Sequence, residues 1–282
     1  MSALPVGAEA VESSELDMGR YWDGIAAVFA GSANVALQLY GSPAVAYGVM
    51  ESKVEGGRVD KHPFKRARTT FTYLAVAMLG DDEDRAAYRE AVNGAHRHVR
   101  STADSPVHYN AFDPALQLWV AACLYYGLVD TWERMHGPLD DTTADAMYRR
   151  ASVLGTTLQM RPEMWPRTRQ EFDDYFRRTL ASTAMDEATA AYCRMLIRFE
   201  MIPWWLWPAS RALGFMNTGY TPWQVREQLG LAWTPRHEAA FTAVNRAAGT
   251  VYDVLPGAVR RMPFNLYLWD VRRRVRTGRP LV

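Results

Sequence analysis

A chain of 282 residues with 49% hydrophobic and 12% aromatic side chains can bury a sizeable core and is too apolar to be disordered. Its formal net charge of +1 exerts no global pull on nucleic acid or on acidic surfaces. Lysine is confined to Lys53, Lys61 and Lys65, which reads as the codon bias of a GC-rich bacterial genome and not as function.

In chain order, residues 1–19 form an expected flexible arm. Glu9, Glu12, Glu15 and Asp17 stand where a secretory signal would need a basic segment and an apolar run. From Tyr21 the spacing turns helical, with a break at Gly31. Asn34 to Tyr40 and Pro43 to Met50 then read as short apolar helices on either side of Gly41-Ser42. The polar stretch from Glu51 to Lys61, with Gly56-Gly57, is a loop. Pro63 opens a helix to Gly80 whose buried face is predicted as Phe64, Ala67, Phe71, Leu74, Ala75 and Met78. Its first turns carry Lys65, Arg66, Arg68, Thr69 and Thr70. Cations at a helix start oppose the macrodipole unless an anion meets them there.

The next helix shows a stripe of Tyr88, Ala91, Val92, Ala95 and Val99. His96 and Arg100 lie one turn apart on one flank, and His98 lies on the other. Asp113-Pro114 caps a helix that is apolar or aromatic all round from Leu116 to Leu128, apart from Gln117; it reads as a buried spine. The longest apolar run, Leu118 to Val129, falls short of the ~20 residues of a spanning helix, so no transmembrane segment is expected. Cys123 and Cys193 read as reduced core thiols, which suits a cytoplasmic protein.

Later helices run from Thr142 to Gly155, from Arg169 to Leu180 behind a Thr168 cap, and from Asp186 to Phe199. A knot of Trp204, Trp205 and Trp207 between prolines precedes a short helix from Ala209 to Phe215. Thr221-Pro222 opens the next helix, and Trp233-Thr234-Pro235 leads into a long one ending at Val254. Residues 266–282 read as a basic, solvated tail, which leaves peripheral membrane contact open. With no strand alternation and no repeat, the expected fold is all-α, a single multi-helix globular domain over 20–265 around the buried spine.

Neither a serine-hydrolase nor a P-loop motif occurs, and no histidines, cysteines or carboxylates fall at zinc-ligand spacing. His62, His108, His136 and His237 have no cluster around them. The chemistry concentrates on His96 and Arg100 and on the basic entry to the Pro63 helix.

Five segments taken together resemble the rubber-oxygenase (latex clearing protein) and MpaB-type haem oxygenase family. They are 31–52 (GSANVALQLYGSPAVAYGVMES), 62–80 (HPFKRARTTFTYLAVAMLG), 92–127, 164–175 and 221–233, in order across most of 20–265. The resemblance implies an all-helical domain with a haem b pocket. It makes His96 the proximal iron ligand, with Arg100 steadying that histidine or a haem propionate. The family's distal pattern maps onto Lys65, Arg68 and Thr69, with Arg66 and Thr70 as an alternative register and Glu51 near the position of a distal carboxylate base.

Two positions depart from the family. Rubber-cleaving members carry lysine where Arg68 stands, and arginine cannot deprotonate to occupy the iron's sixth position. Many members carry histidine after Trp119-Val120, where this chain has Ala121. The implied activity is oxidation or cleavage of an apolar, unsaturated, isoprenoid- or lipid-like substrate by dioxygen. The alternative is a non-catalytic helical haem- or lipid-binding protein on the same fold. No nucleic-acid partner is implied.

Overall fold

A computed structural model describes residues 17–22, 24–54 and 59–282. Most of the expected N-terminal arm, Gly56-Gly57 and the side chains of Trp204 and Trp207 lie outside the described residues. The fold is all-α. Helices α1 (Gly24–Tyr40), α2 (Pro43–Met50), α3 (Pro63–Leu79), α4 (Asp82–His96) and α5 (Pro114–His136) are followed by α6 (Asp141–Ala151), α7 (Val153–Thr156), α8 (Arg169–Ser182) and α9 (Glu187–Arg198). The chain closes with α10 (Trp207–Tyr220), α11 (Trp223–Gln228), α12 (Pro235–Asp253), α13 (Gly257–Arg260) and α14 (Phe264–Thr277). Among the described residues the only β feature is an isolated bridge between Arg100 and Asn110.

The expected spine is α5. The Asp113 carboxylate accepts the Ala115 N–H at 2.8 Å, so a side chain satisfies one orphan donor of the first turn. From Gln117 to Asp130 no residue of this helix is exposed. Helices α1 and α12 pack against it at close range, and two small residues make that approach possible. A Cβ on Gly127 would stand 2.4 Å from the Asn34 amide nitrogen, and one on Gly249 would stand 2.3 Å from the Met135 carbonyl oxygen. Asn34 uses the first opening to donate to the Cys123 carbonyl at 2.6 Å. Cys123 and Cys193 are buried free thiols, as read from sequence.

Three elements differ from the sequence reading. Helix α1 runs unbroken through Gly31, because that glycine faces the Phe71 ring, 3.3 Å from where its Cβ would be. Its missing side chain serves helix–helix approach and not a stop. Phe64, expected on the buried face of α3, is 63% exposed. Residues 266–282 are no free tail: most of them form α14, which buries Phe264, Leu268 and Val271 against the molecule. Some of the arginines that suggest a solvated end are paired: Arg272 reaches Asp84 on α4 at 2.7 Å, and Arg274 pairs within α14 with Asp270 at 2.8 Å.

No single described helix is long and apolar enough to cross a membrane, although α1 and α2 meet that test as a pair bent by 118°.

Candidate active site

The first turns of α3 and the last turn of α4 face each other across a cavity of about 600 Å³, walled on its other sides by α1, α2 and α5. Helix α3 presents Arg66, Thr69, Thr70 and Tyr73 to it, a set at helical spacing, with Lys65 beside them. Helix α4 contributes Val92, Ala95 and His96. The remaining walls are mostly aliphatic, among them Val45, Val49, Val120 and Leu124.

His96 ends α4. Burial first, and the positive charge of Arg66 second, lower its pKa to about 4, so the imidazole is neutral at physiological pH. Among the described residues its buried Nδ1 has no hydrogen-bond partner, and the Phe112 ring meets the imidazole edge-on with ring centres 6.1 Å apart. His98, which periodicity alone could not separate from His96, is exposed and lies outside the cavity.

Arg66 is largely withdrawn from solvent, which lowers its pKa but leaves a guanidinium charged. Among the described residues the groups acting on that charge are the hydroxyls of Tyr192 and Tyr88, with no carboxylate among them. The Thr69 hydroxyl donates to the Lys65 carbonyl at 3.0 Å, which turns its lone pairs outward from its own helix. The Tyr88 hydroxyl donates to the Thr69 carbonyl at 3.0 Å and ties α4 to α3. Tyr73 donates to the Leu154 carbonyl at 2.5 Å.

Arg68 is elsewhere. Its guanidinium lies 2.5 Å from the Asp270 carboxylate on α14 and does not line the cavity. Two residues along a helix turn the side chain through roughly 200°, so Arg66 and Arg68 cannot share a face. Lys65 and Thr69 do face the cavity, together with the Arg66 and Thr70 of the alternative register.

Arg100 is also displaced from its expected position. The helix stops at His96, the next residues form a tight turn in which the Val99 N–H reaches the His96 carbonyl at 2.9 Å, and Arg100 enters the bridge with Asn110. The relation of one helical turn between His96 and Arg100 therefore does not form, and Arg100 is exposed. Glu51 follows α2 and opens, like Arg100, on an adjoining groove. One oxygen of its carboxylate accepts from Ser105 at 2.6 Å and from Tyr109 at 2.8 Å.

Residues 19–251 match the family model described as ER-bound oxygenase mpaB/B'/Rubber oxygenase, catalytic domain. The chain belongs to this family. Two relatives, the uncharacterized proteins Mb2261 of Mycobacterium bovis and Rv2237 of Mycobacterium tuberculosis, are each 46% identical to it over 252 residues, 89% of this chain and 98% of the relative. No solved structure matches.

Within this oxygenase-family chain, Ala121 has no exposed surface and does not line the cavity, whereas its neighbour Val120 does. Among the described residues no group of three or more histidine, cysteine or carboxylate side chains could hold a metal ion. Sequence reasoning missed Tyr73 and Gln117 as cavity residues. Tyr73 continues the Arg66, Thr69, Thr70 spacing by one turn, a signal that was present. In the sequence Gln117 reads only as the polar break in the spine. In the structure it donates to the Ala111 carbonyl at 2.9 Å and the Gln159 side chain at 2.6 Å, and it accepts the Gln159 N–H at 2.7 Å.

Proposed function

We propose that this protein is a haem b-dependent oxygenase acting on an apolar, unsaturated, isoprenoid- or lipid-like substrate, with His96 as the proximal iron ligand. One observation carries the reading. Among the described residues, a neutral imidazole with an orphaned ring nitrogen stands at the wall of a largely apolar cavity, and a withdrawn guanidinium without a carboxylate stands on the facing helix.

The donor set fits haem. A single neutral imidazole is enough to hold the iron, and an iron held in this way needs no cluster of ligands. Lys65 and Arg66 supply cations for carboxylates inside a cavity whose other walls are mostly aliphatic. Its volume lies within the range of cofactor and ligand sites. When bound, haem supplies the iron-centred activation of dioxygen that no protein side chain can provide.

The chain's own residues do the rest. His96 stays unprotonated far below neutral pH and so keeps its lone pair for a metal. Arg66 takes the electrostatic role first assigned to Arg68, stabilising negative charge that develops in the cavity, with the Thr69 and Thr70 hydroxyls beside it. The aliphatic walls exclude water and select an apolar substrate. Glu51 and Arg100 act, on this geometry, from the adjoining groove. Free buried thiols at Cys123 and Cys193 support a cytoplasmic setting.

The test is oxygen uptake by the haem-reconstituted protein with a panel of unsaturated terpenoids and lipids. Substrate-dependent uptake supports an oxygenase. Tight binding of panel members with no uptake would leave the carrier reading in its place.

A further inference from the structure

The adjoining groove, about 690 Å³, shares Ser52, Val54, Val99 and Tyr109 with the main cavity. On the far side, a small apolar pocket of about 70 Å³ shares Val35, Thr70, Leu124 and Leu154 with the same cavity. The three spaces form a row that runs from a polar mouth to an apolar end.

The mouth is cationic. Lys53, Arg97 and Arg100 line it with His98, and its one carboxylate among the described residues, Glu51, already accepts the Ser105 and Tyr109 hydroxyls. Some arginines elsewhere sit on acids, as Arg169 does between Asp141 and Asp145, Arg272 on Asp84 and Arg68 on Asp270. Lys53, Arg97 and Arg100 make no ion pair among the described residues. Among the described residues, three basic side chains against one carboxylate, in a concave wall that opens on an apolar interior, leave a net positive field at the entrance.

We propose that the substrate is an anionic amphiphile, whose carboxylate or phosphate head is held in this groove by Arg97, Arg100 and Lys53 while its apolar chain extends into the cavity. Guanidinium groups suit such heads because they offer paired donors to two oxygens at once. The inference rests on the proposed function for calling the ligand a substrate, but the binding claim stands without it.

The experiment measures affinity of the full-length, haem-reconstituted protein for oleate, oleyl phosphate and oleyl alcohol below their micelle concentrations. The wild type is compared with the double variant Arg97→Gln/Arg100→Gln. The expected result is that both anions bind about tenfold or more tightly than the alcohol. That preference should shrink in the variant and at high salt, with the alcohol's affinity unchanged.

Equal affinities for acid and alcohol, or a preference that survives the double variant, would overturn the proposal. So would loss of haem occupancy in the variant with the oleate preference intact, because the cations would then serve propionates. Loss of co-sedimentation with anionic phosphatidylglycerol vesicles, without any preference among the monomeric probes, would assign the groove to a membrane surface and overturn it too. Anion preference without oxygen uptake would sink the oxygenase reading and leave this one standing.

Discussion

Arg66 on α3 and His96 on α4 face one cavity, and the guanidinium adds to burial in holding the imidazole at about pKa 4. A cation opposite a histidine keeps that histidine neutral, so the ring's lone pair is not lost to a proton across the physiological range.

Exchanging the two arginines of α3 separates the two registers. Arg66→Leu is expected to lower turnover at least about tenfold, by analogy with the loss of a preorganised donor. It should also raise the His96 pKa, readable from the imidazole's titration by NMR. Arg68→Leu removes a pair with Asp270 in which the arginine side chain is 40% exposed. It should cost about 1 kcal/mol or less in urea unfolding and leave turnover within about threefold. The reverse pattern would restore the register first read from sequence.

Acid should destabilise the protein through His96. The unfolded chain takes up a proton near the ordinary value of 6.5, whereas the folded ring resists until about 4. Between those values the unfolded state binds more protons, so stability rises with pH through the window and its full contribution is present above 6.5. The contribution is on the order of 3 kcal/mol. Urea unfolding of wild type and His96→Gln at pH 7 and pH 4.5 should show a steeper loss for the wild type. Parallel losses would show that the ring is not held neutral by the fold.

The polar link beneath the cavity is testable by Gln117→Leu. The substitution leaves the Ala111 carbonyl and two groups of Gln159 without their partner at a buried site. The expected cost is about 2 kcal/mol, read as a lower urea midpoint at constant slope.

Gly249→Ala should be costly for a steric reason. The new methyl would meet the Met135 carbonyl oxygen at 2.3 Å, and that oxygen belongs to the backbone of α5 and cannot swing aside. A loss of about 1–3 kcal/mol is expected. A neutral result would mean that α12 and α5 can part without consequence for the core.

Much of the fold could be read from caps. Asp113-Pro114, Thr168 and Thr234-Pro235 open helices in the structure as their side chains require, and the all-apolar run after Leu116 marked the spine. What failed were features that depend on a distant partner. Gly31 resembles a stop until Phe71 is set against it, and the arginines of α14 resemble a tail until Asp84 of α4 meets Arg272. The register of the basic motif stays open in the sequence for a related reason. Both flanks of α3 begin with basic residues, so hydrophobic periodicity locates the face packed on α14 but says nothing about which arginine meets a cavity. The end of α4 carried no glycine or proline after His96, and only the bridge of Arg100 with Asn110 shows why the helix stops.

The most direct test of the account is the absorption spectrum of the haem-reconstituted protein in wild type, His96→Ala and His98→Ala forms. The account predicts a Soret band in the wild type, retained in His98→Ala and lost or clearly shifted in His96→Ala. An unchanged band in His96→Ala, or no band in the wild type after haem is supplied, would contradict it.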